Sequence, residues 1–182
     1  MRDIEGIEKV VARLKPHMAG IEAHFNAENA RFIELMSRPH DVVGRLLKCH
    51  LVVEHYLDRF LSEHFGIQDV ESAKLGFFNK AMLLPNKAAS AAFVKPGVLK
   101  LNTLRNRAGH NLGSDITFED LGPISDVLAI ARARVKFAEP TEAIEAFTTV
   151  ACTWLIVPPK EHQQLFADAF SEVKVNALFD FR

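Results

Sequence analysis

The sequence predicts an all-α fold, a bundle of helices. Apolar residues recur at the three- and four-residue spacing of amphipathic helices through most of the chain. No segment alternates apolar and polar residues over more than a few positions, as a half-buried strand would. Prolines separate the periodic segments and give the helices natural ends. A chain of 182 residues is long enough to bury one core, which favours a single domain over residues 1–182.

The helices are predicted in chain order from these patterns. Two amphipathic segments, 3–15 and 17–37, meet at Pro16. The most regular segment, 42–65, ends at Gly66, which is a suitable residue to follow a helix C-terminus. The remaining helices are predicted at residues 70–84, 97–112, 123–137, 141–157 and 160–179. The longest loop is predicted at 85–97, and Pro96 near its end is expected to open the next helix. A second connection is predicted at 113–122.

The predicted helices fall into three parts. The chain has no internal repeat, no heptad run and no linker long enough to divide it. We therefore expect an N-terminal helical arm at 1–38, a core bundle of four to five helices at 40–137, and a C-terminal helical pair at 138–182.

Charge and composition narrow the classes of function. A net charge of -1 and an isoelectric point near 6.7 exclude a broadly basic protein that coats nucleic acid. Cys49 and Cys152 lie in apolar segments, which predicts buried thiols in a reducing compartment. The N-terminus lacks the apolar core of a secretory signal, and the longest apolar run, Val150–Val157, covers under half a membrane. We expect a cytoplasmic protein without a membrane partner.

Motifs for cofactors and metals are missing from the sequence. The nine glycines are isolated, and no Gly-x-x-x-x-Gly-Lys or Gly-x-Gly-x-x-Gly loop occurs. His50, Glu54 and His55 are close in sequence, but the two histidines do not share a helix face and no second cluster has ligand spacing. We expect neither a cofactor nor a metal site.

Two polar residues interrupt the apolar rows of helix 42–65. His50 and Glu54 are four residues apart, so they lie on one helix face. In one interpretation they sit at the edge of the apolar stripe and satisfy each other. In the other, Glu54 faces a basic residue from a second helix, because a carboxylate on a buried face needs such a partner.

A second polar cluster lies at the end of helix 97–112. Arg105 occupies a position where the helical pattern calls for an apolar side chain, and Asn106 and His110 share the neighbouring face. Arg105 and His110 are five residues apart, so both reach one site only along a groove or near a frayed helix end, which Gly109 favours. Alternatively, Arg and His in the last turns only stabilise the helix dipole and its free carbonyls.

The segment Leu104–His110 resembles the Arg-Asn-x-x-x-His signature of the HEPN superfamily, and residues 45–57 resemble the long earlier helix of such proteins. The resemblance covers about residues 40–115. It implies an up-down helical bundle that often dimerises, with the motifs of two protomers facing each other across a cleft. Many members are metal-independent endoribonucleases, often toxins paired with an antitoxin protein. Others are inactive binding or dimerisation modules, and a similar string occurs in mannitol operon repressor-like transcriptional regulators.

The resemblance assigns roles to the polar residues. In a ribonuclease, His110 would be the acid or base, Arg105 would grip the phosphoryl oxygens, Asn106 would orient His110 or a phosphate, and Glu54 would hold Arg105 in place. RNA, or another anionic ligand, would meet a positive surface, because residues 72–114 contain seven basic residues and no acidic one. From this stretch we expect three residues to bind RNA: Lys95, Lys100 and Arg107.

Overall fold

The structure is a computed structural model. It describes residues 14–20, 41–67, 70, 72–110, 115–132, 135–171 and 173. These residues belong to two compact units, Met1–Pro39 and His40–Arg182. In the first unit, a 3₁₀ turn at Lys15–His17 has helical residues on both sides. The rest of the predicted arm lies outside the described residues.

The described part of the second unit is helical. It contains α1 (Asp41–Phe65), α2 (Phe77–Met82), α3 (Ser90–His110), α4 (Pro123–Ala131), α5 (Pro140–Trp154) and α6 (Gln163–Ala169), with 3₁₀ turns at Phe118–Asp120 and Lys160–His162. None of these described residues belongs to a β-strand, which confirms the all-α prediction. None of the described helices is both long enough and apolar enough to cross a membrane.

The core lies where α1, α3, α4 and α5 pack together. The two apolar rows predicted on α1 supply buried residues, among them Leu46, Val53 and Leu57. α1 ends as predicted, because Gly66 adopts a φ of +68°, a left-handed conformation that glycine takes without strain.

α5 is part of the core. Its residues Ile144, Phe147 and Ala151 are almost completely buried, and α5 packs against α1, α3 and α4. The predicted edge of the core at residue 137 therefore does not match the packing, which continues through Leu155. The sequence predicted a helix at 141–157 but not the helices against which it packs.

α3 begins earlier than predicted. It starts at Ser90 instead of 97, and Pro96 lies inside the helix although its ring removes one backbone hydrogen bond. Gly97 follows, and a Cβ at this position would overlap the ring of Phe147 on α5. The close approach of α3 to α5 therefore requires glycine, and packing between the helices outweighs two residues that are locally unfavourable in a helix.

The other helices are shorter than their predicted ranges. α2 covers only Phe77–Met82 of the predicted 70–84, and α4 ends at Ala131, six residues before the predicted 137. α5 ends at Trp154, and the predicted helix 160–179 is a 3₁₀ turn followed by α6, which ends at Ala169. Residues 174–182 lie outside the described residues.

Candidate functional site

Arg105 and His110 line the same cavity. It has a volume of about 230 Å³ and lies between the first turns of α1 and the last turns of α3. Val43, Leu46 and Leu47 of α1 form its apolar side. Arg105 and His110 are both exposed. The structure thus brings together the two residues that the sequence placed five positions apart, and we call this site the Arg105–His110 cavity.

Asn106 contacts Arg105 directly. Arg105 Nη1 donates a hydrogen bond to Asn106 Oδ1 at 3.1 Å. In the described part of the chain, no carboxylate forms an ion pair with Arg105, and Asn106 forms no hydrogen bond with His110. The guanidinium therefore keeps donors for an anionic ligand, because one bond to an amide leaves most of its five N–H groups unused.

Glu54 does not hold Arg105, so this predicted contact is wrong. Its carboxylate instead accepts a hydrogen bond at 3.0 Å from Nζ of Lys80 on α2. The same ammonium donates to Asp58 Oδ2 at 2.9 Å, and the two carboxylates raise the pKa of Lys80 against the opposing effect of its burial. The interpretation that Glu54 faces a basic residue of another helix is confirmed, but that residue is Lys80.

His50 is buried between three helices. Its ring stacks on Phe77 of α2 with centroids 3.9 Å apart, and its Nε2 lies 3.3 Å from Oδ1 of Asn102 on α3. Burial lowers the pKa of His50 below its usual value, whereas the bond to Asn102 and the charge of Glu54 raise it and the charge of Arg105 lowers it. The two polar residues of α1 therefore have separate partners.

Lys95 cannot contact RNA, which corrects its predicted role. Only 2% of the residue is exposed. Its ammonium donates to the carbonyls of Met82 at 2.9 Å and Leu84 at 2.6 Å and to Oδ1 of Asn86 at 2.7 Å. These bonds satisfy all three of its donors and tie the end of α2 to α3. Burial lowers the pKa of Lys95.

Arg107 is also engaged within the protein. Its Nη1 lies 2.6 Å from Asp120 Oδ1, and this carboxylate accepts a further bond from the backbone N–H of Thr117. The bond from Arg107 holds the pKa of Asp120 well below its usual range. The ion pair with Asp120 neutralises the positive charge of Arg107, which we expected to bind RNA. Lys100 is partly exposed on α3, and its role in RNA binding stays a prediction.

The positive surface is consequently smaller than the sequence suggested. Of the seven basic residues between 72 and 114, Lys80 and Arg107 pair with carboxylates and Lys95 is buried. The carboxylates that pair with Lys80 and Arg107 come from other segments of the chain, so the composition of residues 72–114 did not reveal them. Among the described residues, no three His, Cys, Asp or Glu side chains converge to hold a metal ion.

Comparison with known proteins found no family model, no curated protein and no solved structure that matches this chain. The likeness to HEPN proteins therefore rests on the residues quoted above.

Proposed function

We propose that this protein is a metal-independent endoribonuclease that cleaves RNA through attack of a 2′-hydroxyl on the neighbouring phosphate. The observation that supports this most directly is that Arg105 and His110 line one open cavity. The reaction needs positive charge around a crowded phosphorane and a group that exchanges protons near neutral pH. An arginine and a histidine supply these two requirements.

The residues of the cavity have distinct roles in this reaction. The guanidinium of Arg105 binds two phosphoryl oxygens, and Asn106 restricts its orientation through the 3.1 Å hydrogen bond. His110 either removes the proton of the 2′-hydroxyl or protonates the departing 5′-oxygen. The products are a 2′,3′-cyclic phosphate and a 5′-hydroxyl. Glu54 has no part in this scheme, because its partner is Lys80.

One protomer supplies one histidine, whereas the reaction uses both an acid and a base. A homodimer that places two cavities across a cleft would provide both groups. Leu47, which lines the cavity, and Leu51, one turn later on α1, are 40% and 56% exposed. Apolar residues this exposed beside the site favour a contact with another protein surface. An antitoxin protein is a second partner that this surface suits.

Cleavage of RNA in the presence of EDTA tests the proposal. We expect the purified protein to produce fragments with 2′,3′-cyclic phosphate ends, and Arg105→Gln to reduce the rate at least about a hundredfold. Arg59→Gln is the matched control, because Arg59 is an exposed arginine of α1 that pairs only with Glu63 among the described carboxylates. Equal rates for the two variants would contradict the proposal.

A binding module that holds an anion without cleaving it is the second candidate. The observation that favours it is that Lys80 and Arg107 pair with carboxylates and Lys95 is buried. Few of the basic residues between 72 and 114 are then left to position a long RNA substrate. Such a module would act in dimerisation or in the regulation of transcription. It predicts that RNA binds with a dependence on Arg105 but stays intact under all conditions tested.

A further inference from the structure

His50 lies at the junction of α1, α2 and α3. Its Nε2 faces Asn102 Oδ1, and an amide oxygen only accepts hydrogen bonds, so Nε2 carries the ring proton. The lone pair is then on Nδ1. This atom is buried and has no hydrogen-bond partner in the described structure. His50 as a whole is 6% exposed, so it can respond to charge nearby but cannot touch a substrate.

The charges of Glu54, Asp58, Lys80 and Arg105 sum to zero. Glu54 follows it by one turn of α1, and Lys80 of α2 bridges Glu54 and Asp58. One ammonium between two carboxylates leaves a net charge of about -1. The guanidinium of Arg105 on α3 supplies the compensating positive charge, and it acts on His50 electrostatically.

Helix geometry places Arg105 beside the His50 contact. Asn102 and Arg105 are three residues apart on α3, which corresponds to about 4.5 Å along the axis and to neighbouring rows of side chains. The positive charge of Arg105 opposes protonation of His50, while Glu54 favours it. A phosphate bound to Arg105 would cancel the first effect and leave the second.

We infer that His50 takes up a proton from solvent when a phosphate group binds to Arg105, so that binding at the Arg105–His110 cavity strengthens as the pH falls. The identity of the anion as an RNA phosphate rests on the proposed function, but the coupling between Arg105 and His50 does not. The proton binds to Nδ1 and restores the charge balance. Uptake of half a proton would tighten binding about threefold for each pH unit.

The first test needs no ligand. NMR follows the ring signals of His50 through a pH titration of the wild-type protein and of Arg105→Gln and Arg105→Lys. We expect the His50 midpoint to rise in Arg105→Gln, which removes the cation, and to stay near the wild-type value in Arg105→Lys, which keeps it. Arg105 is exposed, so both variants should fold. An unchanged midpoint in Arg105→Gln overturns the inference, whether or not the protein cleaves RNA.

The second test measures proton uptake on binding. Calorimetry with a 2′-O-methyl RNA decamer, which cannot be cleaved by 2′-hydroxyl attack, is repeated in buffers of different ionisation enthalpy. His110→Ala is the background, so that its imidazole does not contribute. We expect a fraction of one proton per decamer, and none when His50→Gln is added. Equal uptake with and without His50 refutes the inference, whereas a decamer that does not bind even the wild-type protein refutes the proposed function and leaves the first test decisive.

Discussion

Replacing Gly97 with alanine should destabilise the protein, although alanine is the better helix former. A Cβ at this position would overlap Cε2 of Phe147 and lie 2.5 Å from its Cζ. Carbon atoms pack favourably at about 3.5–4.0 Å, so the ring would have to move by about 1 Å. Phe147 is 0% exposed at the centre of the core, and its neighbours would have to move with it.

Two effects of opposite sign determine the size of the loss. Alanine gains about 1 kcal/mol over glycine inside a helix. Overpacking of a filled core costs about 1–3 kcal/mol, and an overlap of this size with a buried ring belongs in the upper part of that range. We expect the free energy of unfolding to fall by about 1–2 kcal/mol and the melting temperature to fall by about 2–8 °C.

Urea unfolding followed by far-UV circular dichroism measures this change. Gly44→Ala is the matched control, because Gly44 is an exposed residue of α1 and nothing lies within 4 Å of a Cβ built there. The control should be more stable than wild type by up to about 1 kcal/mol. The packing argument is refuted if Gly97→Ala is as stable as the wild-type protein.

Three further predictions concern Lys80 and Lys95. Lys80→Met should lower the free energy of unfolding by about 3 kcal/mol. This is the lower end of the cost of breaking a buried ion pair, because Glu54 and Asp58 are still 26% and 22% exposed. If urea unfolding gives a value within about 1 kcal/mol of wild type, the ion pairs of Lys80 do not stabilise the fold as we infer. Lys95→Met leaves three oxygen acceptors without their donor and should cost about 2 kcal/mol. Burial lowers the pKa of Lys95 below 10.5, so the unfolded chain binds the proton of the Lys95 ammonium more tightly than the folded protein does. The contribution of Lys95 to the free energy of unfolding therefore rises with pH between its folded-state pKa and 10.5. Urea unfolding at stepwise pH should show this rise in wild type but not in Lys95→Met, and parallel pH profiles would contradict it.

Local patterns predicted the fold class and the longest regular helix. α1 follows from its apolar rows and from Gly66, both of which act within the helix itself. The start of α3 could not be predicted in the same way. Pro96 and Gly97 indicate a helix boundary locally, but α3 continues through them because its surroundings, above all Phe147, favour a close contact between α3 and α5.

The same holds for the candidate site: short sequence patterns indicate some of its features, whereas others depend on how distant helices pack. Arg105 and His110 are five residues apart on α3, so helix geometry predicted that they share a site only if a groove or a frayed helix end lies there, and the structure supplies a cavity between α1 and α3. The partner of Glu54 depends on how α2 docks against α1, which no short pattern records. The burial of Lys95 could not be predicted from the sequence either. Its acceptors are mainly backbone carbonyls, and because every residue has one, they leave no sequence pattern.

The ratio of RNA cleavage rates between wild type and His110→Ala, measured in EDTA, tests the central claim most directly. His162→Ala is the control, because it removes another exposed histidine from a 3₁₀ turn outside the cavity. We predict a loss of about a hundredfold or more in His110→Ala, with the free energy of unfolding unchanged, and a wild-type rate in the control. A His110→Ala variant that cleaves as fast as wild type would contradict the account.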